Sequence, residues 1–207
     1  MCIRDRLKAQ DMTRDSNFTE ALIDTLSAFK AAELAPFAEQ TIKDIKNTRN
    51  VRQKMVLFLG RVGSAAEKDF LLKLLKDEEE DTDIRSYAAN SLGHLGVKEA
   101  AAEIDKVITT IEAYPFKKKK DYYNLYLYCV AALVKLGDQN AFPRLMNAMK
   151  SDSTATRLRA VRLMGELKDK RSIDILKYKS EHDPNPGVQK AAREALKDMG
   201  IPEEKER

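Results

Sequence analysis

The sequence predicts an all-α chain in which about six helical hairpins stack into a solenoid. Two observations carry that expectation. The first is helical spacing on one face. Ile84, Ala88, Leu92 and Leu95 stand four, four and three residues apart, which places them on one stripe of a 3.6-residue helix. Gly96 follows where a helix ends in a left-handed residue, and apolar Ala101, Ile104 and Ile108 restart the period. The second observation is that the pattern recurs. Counted from that turn, the equivalent positions are Lys30, Gly63, Gly96, Gly137, Lys168 and Gly200, separated by 33, 33, 41, 31 and 32 residues. The residues 12, 8, 4 and 1 places before those turns form four columns. They run from Phe18, Leu22, Leu26 and Phe29 in the first unit to Val188, Ala192, Leu196 and Met199 in the last. Of the 24 members 23 are apolar, Thr156 being the exception, in a chain that is 43% apolar overall. Neither helix of such a hairpin buries its stripe alone. A neighbouring copy must cover the rest, which is the logic of a solenoid.

Taken in order, the chain opens on MCIRDR. Its back-translation resembles a transposase adapter used in sequencing libraries, so residues 1–6 are expected to be a non-native leader. Residues 7–200 are then the solenoid and 201–207 a charged C-terminal tail. Residues 7–16 align with the end of a second helix, so the array is expected to start in mid-repeat with its native N-terminus missing. Cytoplasmic and exported locations both stay open. The first unit, 18–47, lacks a glycine at its turn. The second, 51–76, closes on the acidic run 77–81, which suits the N-terminus of a helix beginning near Asp83.

The third unit is the long one, at 41 residues. About eight extra residues lie between Ile108 and Leu125, in the stretch TIEAYPFKKKKDYYN. Pro115 is expected to break the second helix and leave an edge loop, the kind of insertion that often carries binding. Five of the seven tyrosines fall between Tyr114 and Tyr128. Units four and five are regular. Unit six has one good helix, 188–199. Seven residues before its turn it carries Arg193, where the others have Ile23, Val56, Ala89, Val130 and Val161. A charge there predicts a face with no next neighbour, as in a capping repeat.

The pairs Ile84-Arg85, Ala88-Ala89, Leu92-Gly93 and Leu95-Gly96 resemble a HEAT-like repeat of the phycobilisome-lyase type. Val51-Arg52, Leu59-Gly60 and Val62-Gly63 resemble it again. The resemblance spans roughly residues 18–200 and implies a right-handed α-solenoid of HEAT-like hairpins. It is specific for fold and nearly silent on activity. It also implies that the second helices line a concave surface. By the same resemblance, Arg52, Arg85 and Arg157, each 11 residues before its turn, are rungs of a ladder between repeats. Their implied partners are carboxylates or carbonyls of the preceding turn.

The relatives so implied include bilin lyases and a hydroxylase that binds iron through His-Glu pairs. Here the two histidines, His94 and His182, are followed by Leu95 and Asp183. Two isolated histidines cannot supply such a ligand set, and His94 suits a surface or capping role. No Ser/His/Asp grouping or glycine-rich phosphate loop is present. The expectation is therefore a non-catalytic protein without metal or cofactor. Cys129, in a core column, reads as a small buried apolar residue. No run of 18 apolar residues occurs, so no helix is expected to span a membrane.

Binding candidates come from two places. Positions 10 and 13 residues after each turn point away from the apolar stripe, and they hold Lys43, Lys73, Lys76, Lys106, Lys150 and Tyr178. Across all ten such positions five lysines face one carboxylate, Glu181. Aligned like charges sum into a field that attracts an opposite partner. The second place is the 114–123 insert, with Lys117, Lys118, Lys119, Lys120, Tyr122 and Tyr123. The expected function is a monomeric protein–protein interaction scaffold, its partner a protein that offers an acidic segment. The alternatives are a lyase-like accessory enzyme of the phycobilisome-lyase group or a weak nucleic-acid binder. Residues 101–207 hold 21 basic and 16 acidic side chains, with Arg157, Arg159 and Arg162 on one helix. That excess falls short of a contiguous basic stripe, so nucleic acid is not the expected partner. A peripheral membrane contact through the insert stays open, each lysine contributing about 1 kcal/mol at an anionic surface.

Overall fold

The computed structural model describes residues 2–14 and 17–201. Every regular element among them is helical. The α-helices are α1 (Ile3–Lys8), α2 (Asn17–Ala28), α3 (Ala35–Lys43), α4 (Arg49–Val62), α5 (Lys68–Lys76), α6 (Thr82–His94) and α7 (Ala101–Ala113). They continue as α8 (Phe116–Asp121), α9 (Tyr123–Lys135), α10 (Ala141–Ala148), α11 (Thr154–Leu167), α12 (Ile173–His182) and α13 (Pro186–Asp198). The first helices form one continuous row, α2 on α4, α4 on α6, α6 on α9, α9 on α11 and α11 on α13. The second helices α3, α5, α7, α10 and α12 form the other layer, each packed on the first helix of the following unit. The fold is an all-α solenoid in the predicted phase. The boundary expected at residue 7 falls inside α1, and 202–207 of the expected tail lie outside the described residues.

The turns show how local chemistry sets that phase. Left-handed backbone occurs at Lys30 (φ 51°), Gly96 (67°), Gly137 (99°), Lys168 (52°) and Gly200 (75°), and at no other described residue. All five are predicted turn positions. After four of them the chain makes the bond that closes a Schellman cap. The N–H groups of Ala31, Val97, Asp138 and Ile201 donate to the carbonyls of Leu26, Leu92, Leu133 and Leu196. Gly63 departs, with extended φ −70° and ψ −175°. Ser64 and Glu67 explain it. They form a capping box in which Ser64 Oγ accepts from the Ala66 N–H and the Glu67 carboxylate accepts from the Ser64 N–H. Glycine is required at 63 for closeness instead, since a Cβ there would stand 2.5 Å from the Leu59 carbonyl oxygen.

The two inner columns are buried throughout, from Leu22 and Leu26 to Ala192 and Leu196. The outer columns fray. Phe18 and Phe29, expected in the core, are 51% and 76% exposed, because only the six-residue α1 precedes α2 in the stack. Thr156, Leu95, Leu167 and Met199 are half-buried. Ile23, Val56, Ala89, Val130 and Val161 are buried as their column predicts. Arg193 stands exposed at the end of the stack and donates from Nη1 to the Ser180 carbonyl at 2.7 Å.

Two expectations on connecting segments resolve differently. The acidic run does serve the helix after it. Asp81 caps α6 by accepting from the N–H groups of Asp83 (2.9 Å) and Ile84 (3.3 Å), a contribution of about 1 kcal/mol. The insert, by contrast, is not a loop. The extra residues lengthen α7 to Ala113 and, after Pro115, build the short helix α8. Lysine is a good helix former, and a proline before the first turn is compatible with starting one.

Candidate functional site

Three arginines near the starts of α4, α6 and α11 turn inward, with Arg52 at 8%, Arg85 at 4% and Arg157 at 6% exposure. A buried guanidinium is costly unless its donors are satisfied. Arg52 Nε donates to the Ile42 carbonyl at 2.7 Å and Arg85 Nε to the Leu75 carbonyl at 2.9 Å. Arg157 Nη1 reaches the carbonyls of Ser151 (2.9 Å) and Asp152 (3.0 Å). The carbonyl partners thus precede the arginine, as the ladder implies. The carboxylate partners come from the other direction, the segment after the same unit. Glu80 takes both Nη atoms of Arg52. Asp183 takes Nε and Nη2 of Arg157 at 2.9 and 3.0 Å. Arg85 has no carboxylate, and its Nη1 is buried without a hydrogen-bond partner among the described residues.

Arg85 lines a cavity of about 160 Å³ beside α5 and α7. Buried Val107 and Ile111 give it an apolar wall, and Lys76 and Lys106 stand on its basic side with Arg85. Glu103 is held between the two lysines, accepting from Lys106 Nζ at 2.6 Å and Lys76 Nζ at 3.0 Å. Those bonds hold its carboxyl below the usual carboxylate range. Glu78 and Thr110 also face the cavity, and Tyr114 closes it on the insert side.

Tyr114 therefore joins the two surfaces that the sequence offered separately. Lys118 Nζ sits 3.8 Å from the centroid of the Tyr114 ring and 5.5 Å from that of Tyr122. The two rings meet edge to face at 5.1 Å. Lys120 Nζ lies 4.8 Å from the centroid of Phe116. Each such cation–π contact contributes about 0.5–1 kcal/mol at an exposed site. Tyr123 stacks on Tyr126 at 5.5 Å. Desolvation, reinforced by Glu112, pushes the Tyr126 phenol up to about 12. Lys117 is exposed and Lys119 half-buried.

Of the predicted row, then, Lys76 and Lys106 converge on the cavity. Lys73, Lys150 and Tyr178 are exposed but stand outside it. Tyr178 packs on the His182 ring at 4.9 Å. Lys43 pairs with Glu39 at 3.2 Å and covers Phe70. The arginines of α11 do not form a patch. Arg157 is locked in its rung, Arg159 donates from Nη1 to the Tyr128 hydroxyl at 2.9 Å, and Arg162 alone of the three is exposed. His94 ends α6 with Nε2 2.8 Å from Lys135 Nζ. Desolvation, then the charges of Lys135 and Arg61, brings its pKa down to about 4. Cys129 is fully buried and its thiol is pushed up to about 12.

Sequence reasoning missed Arg85 as a binding group, along with Glu103 and Thr110. Spacing gave no signal for the first. The acids of the closed rungs, Glu80 and Asp183, stand 16 and 17 residues before the turns at Gly96 and Gly200, and Asp121 stands 16 before Gly137. Asp121 is exposed at the end of α8 and does not reach Arg85.

The HEAT-repeat family (HEAT_2) matches residues 118–197. The phycocyanobilin lyase subunit alpha of Nostoc sp. (strain PCC 7120) is 34% identical over 93 residues. The two matches agree with the resemblance to HEAT-like repeats of the phycobilisome-lyase type. The match covers 45% of this chain and 33% of that protein, so the chain spans about a third of the length of this curated relative. The solved complex of CpcE and CpcF of phycocyanin lyase from Nostoc sp. PCC7120 shares the fold. Its TM-score is 0.61 at 16% identity, over 97% of this chain and 78% of that chain. The lyase match overturns the expectation of a non-enzyme, since the relative matched in sequence is a lyase subunit. The lack of His-Glu pairs and of a Ser/His/Asp grouping speaks against iron-dependent and serine-nucleophile chemistry and is silent on other enzyme classes.

Proposed function

We propose that the chain is a lyase-like HEAT-repeat subunit that handles a bilin chromophore together with a protein partner. The observation that carries the reading is the 34% identity to phycocyanobilin lyase subunit alpha. The surface fits such a role. Exposed lysines stand along the second helices, and at the third unit a basic cleft with an apolar wall adjoins the aromatic platform of α8. A bilin offers an extended conjugated body and ionised side groups, which suit an aromatic and apolar surface edged with cations. Stacked repeats hold those groups in fixed register, which is how a solenoid presents a long binding surface.

The test is an attachment assay with phycocyanobilin and apophycocyanin, with this chain present alone or with CpcE or CpcF of Nostoc sp. PCC7120. Covalent adduct is read as bilin fluorescence on a denaturing gel. The reading expects adduct above the uncatalysed background in at least one combination that contains this chain. Background levels in every combination would overturn it.

A further inference from the structure

The three ladder arginines differ in one respect. Arg52 and Arg157 are each closed by a carboxylate in two-pronged contact, whereas Arg85 keeps a similar depth and the Nε–carbonyl bond of Arg52 without a carboxylate among the described residues. A guanidinium that is 4% exposed, with a buried Nη1 lacking an acceptor among the described residues, is an expensive arrangement unless something completes it. The other two rungs show what the completing group is. We propose that the Arg85 cleft is a carboxylate-binding site, in which an incoming carboxylate takes the place that Glu80 and Asp183 fill on the neighbouring rungs.

Three features of the cleft favour this occupant. Arg85, Lys76 and Lys106 face Glu78 and Glu103, which leaves one positive charge in excess and suits a monoanion. Neither acid answers Arg85. Glu103 is shared by the two lysines, and Glu78 makes no ion pair among the described residues. The planar fork of a guanidinium matches a carboxylate in two-pronged contact. Finally, about 160 Å³ walled by Val107, Ile111 and Tyr114 gives the carbon stem of the ligand an apolar seat. The insert keeps the nearby acids from this rung. It carries Glu112 into the lengthened α7, where it faces Arg144, and sets Asp121 at the exposed end of α8.

The carboxylate can come from an acidic protein segment or from a small molecule, and the test separates the two. Binding of a hexaglutamate peptide and of phycocyanobilin is measured by titration, each against a neutral twin, hexaglutamine and the bilin dimethyl ester. At least one carboxylate probe is expected to bind ten-fold or more tightly than its twin, and the one that does identifies the source. Arg85→Gln should cost that probe at least ten-fold. Thr110→Glu places a competing carboxylate at an exposed cleft position, so it should block the probe equally while raising the melting temperature. That second variant tests the site even if Arg85→Gln fails to fold. The proposal fails if neither probe outbinds its twin, or if Thr110→Glu leaves affinity within two-fold of the parent. It does not rest on the lyase reading, because hexaglutamate binding without bilin attachment would uphold the site and overturn that reading.

Discussion

The rung at Arg157 and the rung at Arg85 occupy the same place in two copies of one motif, yet their electrostatics are opposite. At the first, a side chain with 0% exposure, Asp183, accepts from Arg157, from Lys179 Nζ at 3.0 Å and from the Asn185 N–H at 3.0 Å. At the second, an equally deep arginine faces an open cleft. Both arginines bond carbonyls of the preceding segment, Arg85 through Nε and Arg157 through Nη1, so the difference lies in the carboxylate, which the following connecting segment supplies at Arg157 alone. A stabilising rung becomes an open one by a change in the segment between successive first helices, here the lengthened α7 and the added α8.

The largest way to break the comparison is at Asp183. Asp183→Asn removes the one anion between two cations whose side chains are 8% and 10% exposed. Uncompensated buried charge of this kind costs about 3–5 kcal/mol. Urea unfolding should show a loss of that size, and a loss under about 1 kcal/mol would refute the contrast. The pH profile sharpens the point. Burial pulls the Asp183 carboxyl upward, but hydrogen bonds from Arg157, Asn185 and Lys179 overcome it and hold the pKa at about 2. The folded pKa lies below the unfolded one, so the stabilisation is full above about 4 and fades as pH falls toward 2. In Asp183→Asn that part of the acid slope should vanish.

His94 predicts a second acid slope, from a different cause and at higher pH. Its folded pKa, about 4, lies below the ordinary 6.5. The unfolded chain therefore binds the extra proton first, and stability declines as pH drops from about 6.5 to about 4. His94→Gln should flatten that interval while leaving the Asp183 slope at lower pH intact. A His94→Gln profile identical to the parent between those values would remove the assignment.

Arg85→Met is the counterpart of the Asp183 test. It loses one hydrogen bond, to the Leu75 carbonyl, and relieves an unpaired buried donor. Those terms oppose each other, so the net change should stay within about 1 kcal/mol. A cost of several kcal/mol would mean that Arg85 is as firmly closed as Arg157.

The sequence made some of this legible. A regular period fixes which residues face inward, so the columns through Leu59, Leu92 and Met164 could be read directly, and positive φ falls on five of the six predicted turns. Where a nearby side chain competes with the period, reading failed. The Ser64–Glu67 box changed the Gly63 turn. The lysines after Pro115 looked like a solvated loop although four consecutive helix formers favour α8. The site was less legible still. Lys76 and Lys106 were visible as a surface stripe, but the vacancy at Arg85 is a relation between an arginine and an acid some 26–28 residues away in the closed rungs. It emerges only when the rungs are compared. The likeness to lyase subunits was legible in the repeat motifs, but it stood second to the scaffold reading because no ligand set or nucleophile grouping marks an activity.

The smallest test asks whether the contrast belongs to the rungs alone. Lys168 ends α11, the helix that carries Arg157, with a left-handed φ of 52° that Gly96 and Gly137 adopt without a Cβ. Lys168→Gly relieves that conformation but frees the unfolded chain. The two effects nearly offset, leaving a gain of about 0.5 kcal/mol. The same gain should appear in the Asp183→Asn background, since a turn and a rung that act independently contribute additively. A gain that disappears in that background would mean that the turn and the rung share one cooperative element, and the cost at Asp183 would then belong to the whole fifth unit.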